Sequence, residues 1–317
     1  MAITVNTNIS SMIVQNNLNK STTALNNAIE RMTTGYKINH AADNAAGYSI
    51  ARNWEAQISS LDIAADNAAM GADMLSTLED HYALISSHVQ RVRDLTEQAA
   101  NGTYGEQSKK AIEAEIKARL DEINRIAVNC EYNGIKMMDG TNNSAKSIQV
   151  GIDGTASKSQ ISLAADLFAS AKIDSLFAIT GNGAYTPTEA NNSGESSPSS
   201  TDAKFERKVA NLAKDCAGTS TYSGHKTSTD MLGTLDKVIA RISDRITTLG
   251  AAQNRIESAI ESIGVQSENI TSSLSTLRDA DVATESSNYI KAQILQQASA
   301  TLLATANQSP SIALNLL

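Results

Sequence analysis

The C-terminal third of the chain carries the clearest hydrophobic pattern. Apolar residues recur there at alternating spacings of three and four, and the alternation holds for more than six heptads. Twelve of the 14 positions in the series are apolar: Leu232, Leu235, Ile239, Ile242, Ile246, Leu249, Gln253, Ile256, Ile260, Ile263, Ser267, Ile270, Leu274 and Leu277. A repeat that stays in phase over this length predicts one long helix, or two nearly continuous helices, with a coiled-coil seam.

The N-terminal half repeats this pattern in three shorter stretches. One lies near the start, one follows an alanine-rich stretch, and one runs from about residue 108 to 130. Their seam positions are Val14, Leu18, Ser21, Leu25, Ala28 and Met32; then Leu75, Leu78, Tyr82, Ile85, Val89 and Val92; then Ile112, Ile116, Ile123 and Ala127. A glycine-containing turn, "NGTYG", separates the last two predicted helices.

The middle of the chain changes to short alternating runs. The segments "KSIQVGIDG" and "SQISLAADL" predict a β-hairpin. The next stretch, "TGNGAYTPTEANNSGESSPSSTDA", indicates an exposed loop because it is rich in Gly, Ser, Asn and Pro. After it, "KFERKVANLAKDCAG" fits a short amphipathic helix with Phe205, Val209, Leu212 and Cys216 on one face.

The N- and C-terminal seams lack partners within their own halves. The economical arrangement folds the chain back so that the two terminal regions pack side by side. We therefore expect a mainly α fold, in which long antiparallel helices from paired N- and C-terminal regions form coiled-coil rods. A small middle region would contain the β-hairpin.

Both ends of the chain are apolar and uncharged. No charged side chain precedes Lys20, and none follows Lys291. Glutamines and asparagines interrupt the apolar C-terminal stretch, which favours a protein interface over a bilayer. No run of 18 apolar residues, the length needed to cross a membrane, occurs in the chain. The start of the sequence lacks the pattern of a cleaved signal peptide.

The remaining composition argues against catalysis and against nucleic-acid binding. The net charge is −8, with no dense basic block. Cys130 and Cys216 match no zinc spacing, and each is expected to be reduced or buried rather than bridged. The four histidines form no metal motif, and no phosphate-binding or nucleophile motif occurs. We expect no enzymatic activity, no cofactor and no metal.

Several segments together resemble bacterial flagellin, the subunit of the flagellar filament. They are "MAITVNTNISSM", "ERMTTGYKINHAADNAAGYSIA", "EYNGIKM", "LGAAQNRIESAI", "DADVATE" and "AQILQQASATLLATANQ". The resemblance covers roughly residues 1–180 and 229–317. It implies inner-core helices at 1–44 and 276–317, a rod-like outer core at 45–180 and 229–275, and a short variable exposed segment at 181–228.

The resemblance also implies partners and a location. The chain would polymerise with itself into an extracellular filament of the bacterial flagellum, after export without a cleaved signal peptide. Further partners would be an export chaperone, the filament cap protein and hook-associated proteins. The assembly residues would include Val14, Leu18, Leu25, Met32, Ile294, Leu295, Leu302 and Leu303. The terminal helices should fold only on assembly, since one partner buries too little of their apolar surface to offset the ordering cost.

The segment "QRVRDLTEQA" resembles the part of flagellin that the vertebrate Toll-like flagellin receptor recognises. Carried onto this chain, the receptor-contacting residues would be Arg91, Leu95 and Glu115, although Arg91 and Leu95 could equally serve subunit packing. The main alternative function is that of a hook–filament junction protein. A flagellin with a metallopeptidase insert and an unrelated coiled-coil scaffold fit less well, because no HExxH motif is present and the terminal motifs match flagellin.

Overall fold

The computed structural model describes residues 8–142, 144–177, 201–219 and 227–314. Most of the predicted loop, residues 180–200, and the side chain of Phe205 lie outside the described residues. The last three residues of that prediction, 201–203, are helical and belong to α6. In chain order the elements are α1 (Ile9–Thr34), α2 (Ala45–Ala100), α3 (Glu106–Asn129), β1 (Glu131–Tyr132), β2 (Ile135–Lys136), β3 (Lys146–Gln149), α4 (Ala156–Ser159), β4 (Gln160–Leu163), α5 (Ile173–Phe177), α6 (Thr201–Ala217), α7 (Ser228–Arg278) and α8 (Val282–Leu314). The prediction of a mainly helical fold with a small β-hairpin is confirmed.

Contacts divide the chain into two compact units. The first comprises Met1–Ser60 and Val265–Leu317, and the second comprises Leu61–Gly264. These borders fall inside the long helices α2 and α7, whereas the sequence placed borders at the ends of helices. The five-part division of the chain therefore remains a prediction.

The second unit has an extended apolar core between antiparallel helices. Three side-chain pairs fix the direction of α2 against α7: Gln253 with Glu79 at 2.8 Å, Arg245 with Tyr82 at 3.3 Å, and Asp236 with Arg93 at 2.6 Å. Partners later in α2 lie earlier in α7, so the helices are antiparallel. The predicted seam of α2 is fully buried.

The buried seam of α7 is half of the predicted one. Leu235, Ile242, Leu249, Ile256 and Ile263 are buried as expected. The alternate predicted positions, Leu232, Ile239, Ile246, Gln253 and Ile260, are only partly buried. Their place in the core is taken by the residues one position earlier, which are Met231, Val238, Arg245 and Ala252. Ile239, Ile246 and Ile260 still pack against the edge of the core. The predicted seam is therefore part of a wider buried face, in which a search for apolar residues does not find the charged Arg245 or the small Ala252.

Arg245 is a cation in the core. Its guanidinium lies 5.8 Å from the centre of the Tyr82 ring and donates hydrogen bonds to the hydroxyl of Tyr82 and the carbonyls of Ala169 and Ser170. Tyr82 in turn donates to the carbonyl of Leu167 at 3.1 Å. These contacts hold the segment after β4 against α2 and α7, and they provide the partners that a buried cation requires.

Two short antiparallel hairpins lie in the second unit. The predicted hairpin is confirmed: β3 pairs with β4, although the one-turn helix α4 lies in the connection. The second hairpin, β1 with β2, turns at Asn133 and Gly134, both of which have positive φ. An Asn-Gly pair adopts this conformation readily, so the sequence signal for this hairpin was present but was not used.

The helix predicted before Cys216 is α6, and one of its faces is buried. Val209, Leu212, Ala213 and Cys216 have no exposed surface, and α6 packs on α3. The description of 181–228 as an exposed segment is therefore wrong for the end of α6. Apolar residues at helical spacing give α6 one hydrophobic face. That face is buried, although the segment just before it was predicted to be an exposed loop.

The first unit is built on an antiparallel pair of helices, α1 and α8. Asn8 caps α1 by accepting a hydrogen bond from the backbone N–H of Ser11 at 3.0 Å. The helix ends at Gly35, whose φ of 75° is the left-handed conformation common at helix C-termini. At the start of α8, the Asp281 carboxylate accepts hydrogen bonds from the N–H of Ala283 and the hydroxyl of Thr284.

Candidate functional site

Polar contacts set the register of the α1–α8 pair. The side-chain amide of Asn8 donates to the carbonyl of Ala306 at 2.7 Å, and that of Gln296 donates to the hydroxyl of Thr22 at 3.1 Å. Nearer the other end of the pair, Arg31 lies 3.4 Å from the carboxylate of Glu285. Amides and hydroxyls can therefore find partners across the pair, as the sequence indicated for a protein interface.

The seam between α1 and α8 buries little apolar surface. The residues of the described part of these helices that are buried are small or polar: Ala28, Glu285, Ala292 and Ser299. The large apolar seam residues Val14, Leu18, Leu25 and Leu303 are only half-buried. By contrast, Leu75, Tyr82 and Ile85 in the second unit have no exposed surface. A two-helix pair thus leaves its own apolar stripes uncovered.

Large apolar side chains also cover the outer sides of the pair. The predicted assembly residues Met32, Ile294, Leu295 and Leu302 are all exposed, with Ile294 keeping 59% of its surface. The sequence analysis missed six similar residues, Ile9, Met12, Ile13, Ile29, Val282 and Ile290. Those on α1 lie off its 3,4 seam, so a search for one stripe along the helix passes over them. The structure therefore gives both terminal helices a wide apolar exterior without charges at their far ends.

A polar cluster joins the turn after α1 to the turn before α8. Tyr36 forms a short β-bridge with Asp279, and the N–H of Lys37 donates to the carbonyl of Arg278 at 2.7 Å. The guanidinium of Arg278 lies 4.0 Å from the centre of the Tyr36 ring and forms an ion pair with Glu55. The Asp279 carboxylate accepts a hydrogen bond from the hydroxyl of Ser275, so it too is held within this turn.

The three residues predicted to contact a receptor separate into two groups. Arg91 on α2 and Glu115 on α3 form an exposed ion pair, with nitrogen–oxygen distances of 2.9 and 3.0 Å. Arg119 extends this pair, 3.9 Å from the same carboxylate oxygen of Glu115. Leu95 is only 2% exposed and packs in the core, so its side chain is not presented at the surface. Arg91 and Glu115 thus lie together at the surface, whereas Leu95 lies in the core.

The titratable groups of the described residues form no reactive cluster. No three His, Cys, Asp or Glu side chains within 8–142, 144–177, 201–219 and 227–314 are placed to hold a metal ion. Burial raises the pKa of both Cys130 and Cys216 to about 12, so neither thiol ionises in the fold. Burial also lowers the pKa of His88, with Arg119 adding to the effect. None of the described helices is long and apolar enough to cross a membrane.

Comparison with known proteins matches both ends of the chain. Residues 5–143 match the bacterial flagellin N-terminal helical region, and residues 232–317 match the bacterial flagellin C-terminal helical region. A flagellin of Xenorhabdus nematophila is 36% identical, and polar flagellin F of Vibrio parahaemolyticus is 31% identical. Each alignment covers all of this chain and all of the relative.

A solved structure supports the fold but not a specific function. It is a Vibrio parahaemolyticus protein whose assignment as a flagellar hook-associated protein is provisional. It matches 75% of this chain and all of its own, with a TM-score of 0.56 and 15% identity. The family-level matches at both ends and the relatives aligned over their full length agree with each other: this chain belongs to the bacterial flagellins, the structural and non-enzymatic subunits of the flagellar filament.

Proposed function

We propose that this chain polymerises through the apolar exterior of its α1–α8 pair, and that copies of the chain supply the cover that the pair lacks. The observation that carries this proposal is the contrast between the two units. Large apolar seam residues of the second unit are buried. Among the described side chains of the terminal pair, those that are buried are small or polar, and Ile294, Leu302 and their neighbours are exposed. An exterior of this kind is typical of an interaction surface.

Covering this surface contributes favourable free energy to assembly. Among the described side chains of the pair, the eight most exposed large apolar ones are Ile9, Met12, Ile13, Val282, Ile290, Ile294, Leu295 and Leu302. Full burial of such a side chain contributes about 1.5–3 kcal/mol, and roughly half of it is still available here. Covering all eight would therefore contribute on the order of 6–12 kcal/mol for each subunit, before the cost of association.

The same balance explains why the terminal helices should fold on assembly. Ordering each residue costs about 1–2 kcal/mol, and a pair with no fully buried large side chain recovers little of that cost. In the lone subunit we therefore expect the terminal helices to open readily. A surface contacted by different neighbours on its two sides is heterologous, and it gives an open helical filament rather than a closed ring.

Further partners follow from the proposed life of the subunit. The uncovered terminal helices are the segment that an export chaperone would shield before transport. Outside the cell, the filament cap protein would guide each new subunit, and hook-associated proteins would contact the first and last copies. The location is accordingly the extracellular flagellum.

The test of polymerisation is removal of the last 26 residues, which contain most of the exposed face of α8. The shortened chain should not form filaments after seeding, because one half of the terminal pair is missing. Circular dichroism should still report the helices of the second unit, whose core does not involve this segment. Filaments of normal width from the shortened chain would contradict the proposal.

We also propose that the exposed Arg91–Glu115 pair contributes to recognition by the vertebrate Toll-like flagellin receptor, with Leu95 supporting this surface from the core. Loss of one charged contact costs about 1.5 kcal/mol, which corresponds to roughly tenfold weaker activation. Arg91→Ala in the unpolymerised protein should shift the dose response of receptor-bearing cells by about this factor. Arg93→Ala is the matched control, because Arg93 lies on the same helix but pairs with Asp236. Equal responses of both variants and the unmodified protein would remove this proposal.

One alternative function is that of a hook–filament junction protein, because this chain shares its fold with the provisional hook-associated protein. The two functions differ in copy number, because a filament contains far more subunits than a junction. Quantitative mass spectrometry of sheared appendages distinguishes them. The filament proposal predicts that this chain is a dominant component, and a trace amount beside another flagellin would favour the junction.

A further inference from the structure

Two thiols are buried in the second unit at different levels of its core. Cys130 follows the last residue of α3, and its N–H donates to the carbonyl of Ile126 at 3.0 Å. Cys216 lies in the last turn of α6. Three residues later, the hydroxyl of Thr219 donates to the carboxylate of Glu113 at 2.6 Å, in the early part of α3. Cys130 therefore lies at the C-terminal end of α3, and Cys216 lies near its N-terminal part.

The length of α3 gives the distance between the positions of the two cysteines along the core. From Glu113 to Cys130 the helix advances 17 residues, which is about 25 Å at 1.5 Å per residue. The helix α2 gives a second measure, because Cys216 lies beside Thr96 and Cys130 lies near enough to Tyr82 to affect the pKa of its phenol. Those two positions are about 21 Å apart along α2. A disulfide requires Cα atoms within about 7 Å. The native fold therefore keeps these cysteines too far apart to form a bridge.

The fold also hides both thiols from oxidants. Cys130 and Cys216 have no exposed surface, and neither is in a disulfide. The thiolate is the species that attacks a disulfide oxidant, and burial suppresses it at both sites. In the unfolded chain both thiols are exposed and ionise near the ordinary value of about 8.5. They are then able to react.

We infer that folding of this chain is redox-sensitive: a Cys130–Cys216 disulfide formed before folding prevents α6 from docking on α3, whereas prior folding protects both thiols. This inference concerns folding of the second unit and does not depend on the proposed polymerisation. The oxidant is a small disulfide, RSSR. One Cys thiolate attacks it and releases one RS⁻, and the second Cys thiolate then displaces the other RS⁻. The two cysteines are oxidised to one disulfide, and RSSR is reduced to two RSH, which take up the two protons.

The disulfide has a local structural consequence. With Cys216 tied to Cys130, the end of α6 is drawn to the C-terminal end of α3 and cannot reach Glu113. The buried face of α6, with Val209 and Leu212, then loses its place against α3. We expect α6 to remain accessible to protease at Lys214, while the long helices α2 and α7 can still pair. The effect is specific to this part of the core, which separates it from general misfolding.

The experiment compares oxidation before and after folding on the full-length protein. One sample is unfolded in guanidinium at low protein concentration, oxidised with glutathione disulfide and diluted into buffer. A second sample is folded first and then given the same oxidant. Mass spectrometry reports the disulfide, and limited trypsin digestion reports access to Lys214. The first sample should carry the disulfide and be cleaved at Lys214 until a reductant is added. The second should stay reduced and resist cleavage.

The single variants Cys130→Ala and Cys216→Ala provide the matched controls. Each is refolded with and without oxidant, so that any loss of stability from the substitution appears in both samples. Gel filtration removes disulfide-linked dimers, and mass spectrometry measures the fraction of monomer that carries a glutathione mixed disulfide. After correction for that fraction and for the loss of stability, oxidant should no longer change the digestion. A wild-type chain that regains full protection at Lys214 with the disulfide intact would overturn the inference. So would failure of the unfolded chain to form the disulfide, or ready oxidation of the folded chain.

Discussion

Replacement of Ile294 by alanine tests the proposed role of the terminal exterior at one residue. Ile294 lies on α8, and 59% of its surface is exposed in the lone subunit. Truncation should therefore change the subunit itself very little, apart from a small gain in helix propensity. In the filament, by contrast, neighbouring copies would cover the side chain. The same substitution should thus affect assembly and leave the fold of the subunit intact.

The size of the effect follows from the atoms removed. Ile294→Ala deletes three carbon atoms, each of which contributes about 0.8 kcal/mol when fully buried. About 0.6 of that surface is still exposed before assembly, so the loss is about 1.4 kcal/mol for each subunit. This corresponds to a roughly tenfold increase in the concentration of subunit that remains in equilibrium with filament. An unfilled cavity at the interface would increase the factor further.

The assay is sedimentation of seeded filaments over a series of total protein concentrations. The concentration left in the supernatant gives the critical concentration, and circular dichroism of the unpolymerised variant checks the fold. Ile152→Ala is the control, because Ile152 is also an exposed isoleucine but lies in the β3–β4 connection. We expect less than about a twofold change there. An unchanged critical concentration for Ile294→Ala, or an equal change for the control, would refute the reasoning.

Two further predictions concern packing and pH. Gly71→Ala places a Cβ in contact with Cδ1 of Ile148 and should destabilise the second unit by about 1–3 kcal/mol. In an Ile148→Val background the same change should become neutral or stabilising. Gly233→Ala should also be neutral or stabilising, because its Cβ meets nothing within 4 Å. Thermal unfolding measures the stability of all three variants, and an equal loss of stability in all of them would reject the steric cause. The pKa of Asp281 is lowered from its ordinary 3.8, chiefly by the hydrogen bond from the Thr284 hydroxyl. Its stabilisation of the α8 start is therefore present above the unfolded value and lost as pH falls through the lower folded value. Amide exchange near the α8 start should report this acid loss, and Asp281→Asn, which keeps the acceptor but cannot titrate, should lack it.

The sequence predicted which helices exist more reliably than which side of each helix is buried. A heptad repeat depends only on spacing, so α7 was found together with the buried Leu235 and Ile242. The other half of its predicted seam lies at the edge of the core, and the buried Arg245 beside it was missed because hydrophobicity cannot identify a charged residue as a core residue. Its burial is possible only because Tyr82 and two carbonyls meet it there. Such partners come from distant parts of the chain and are invisible in a local pattern.

The candidate surfaces show the same limit. The absence of charge before Lys20 and after Lys291 pointed to the terminal helices as an interface, and the exposed Ile294 and Leu302 agree with this. For the receptor surface, the sequence grouped Leu95 with Arg91, although burial separates them. Residues four apart on a helix share a face only approximately, and a neighbouring helix can cover one and leave the other exposed.

Hydrogen exchange of α1 and α8 before and after polymerisation tests the central claim most directly. In the lone subunit, amides within residues 8–34 and 282–314 should exchange quickly, because the pair buries no large apolar side chain among its described residues. In the filament they should become strongly protected, while the buried α2 and α7 positions of the second unit are protected in both states. Strong protection of both terminal helices in the lone subunit, together with failure to form filaments after seeding, would contradict the account.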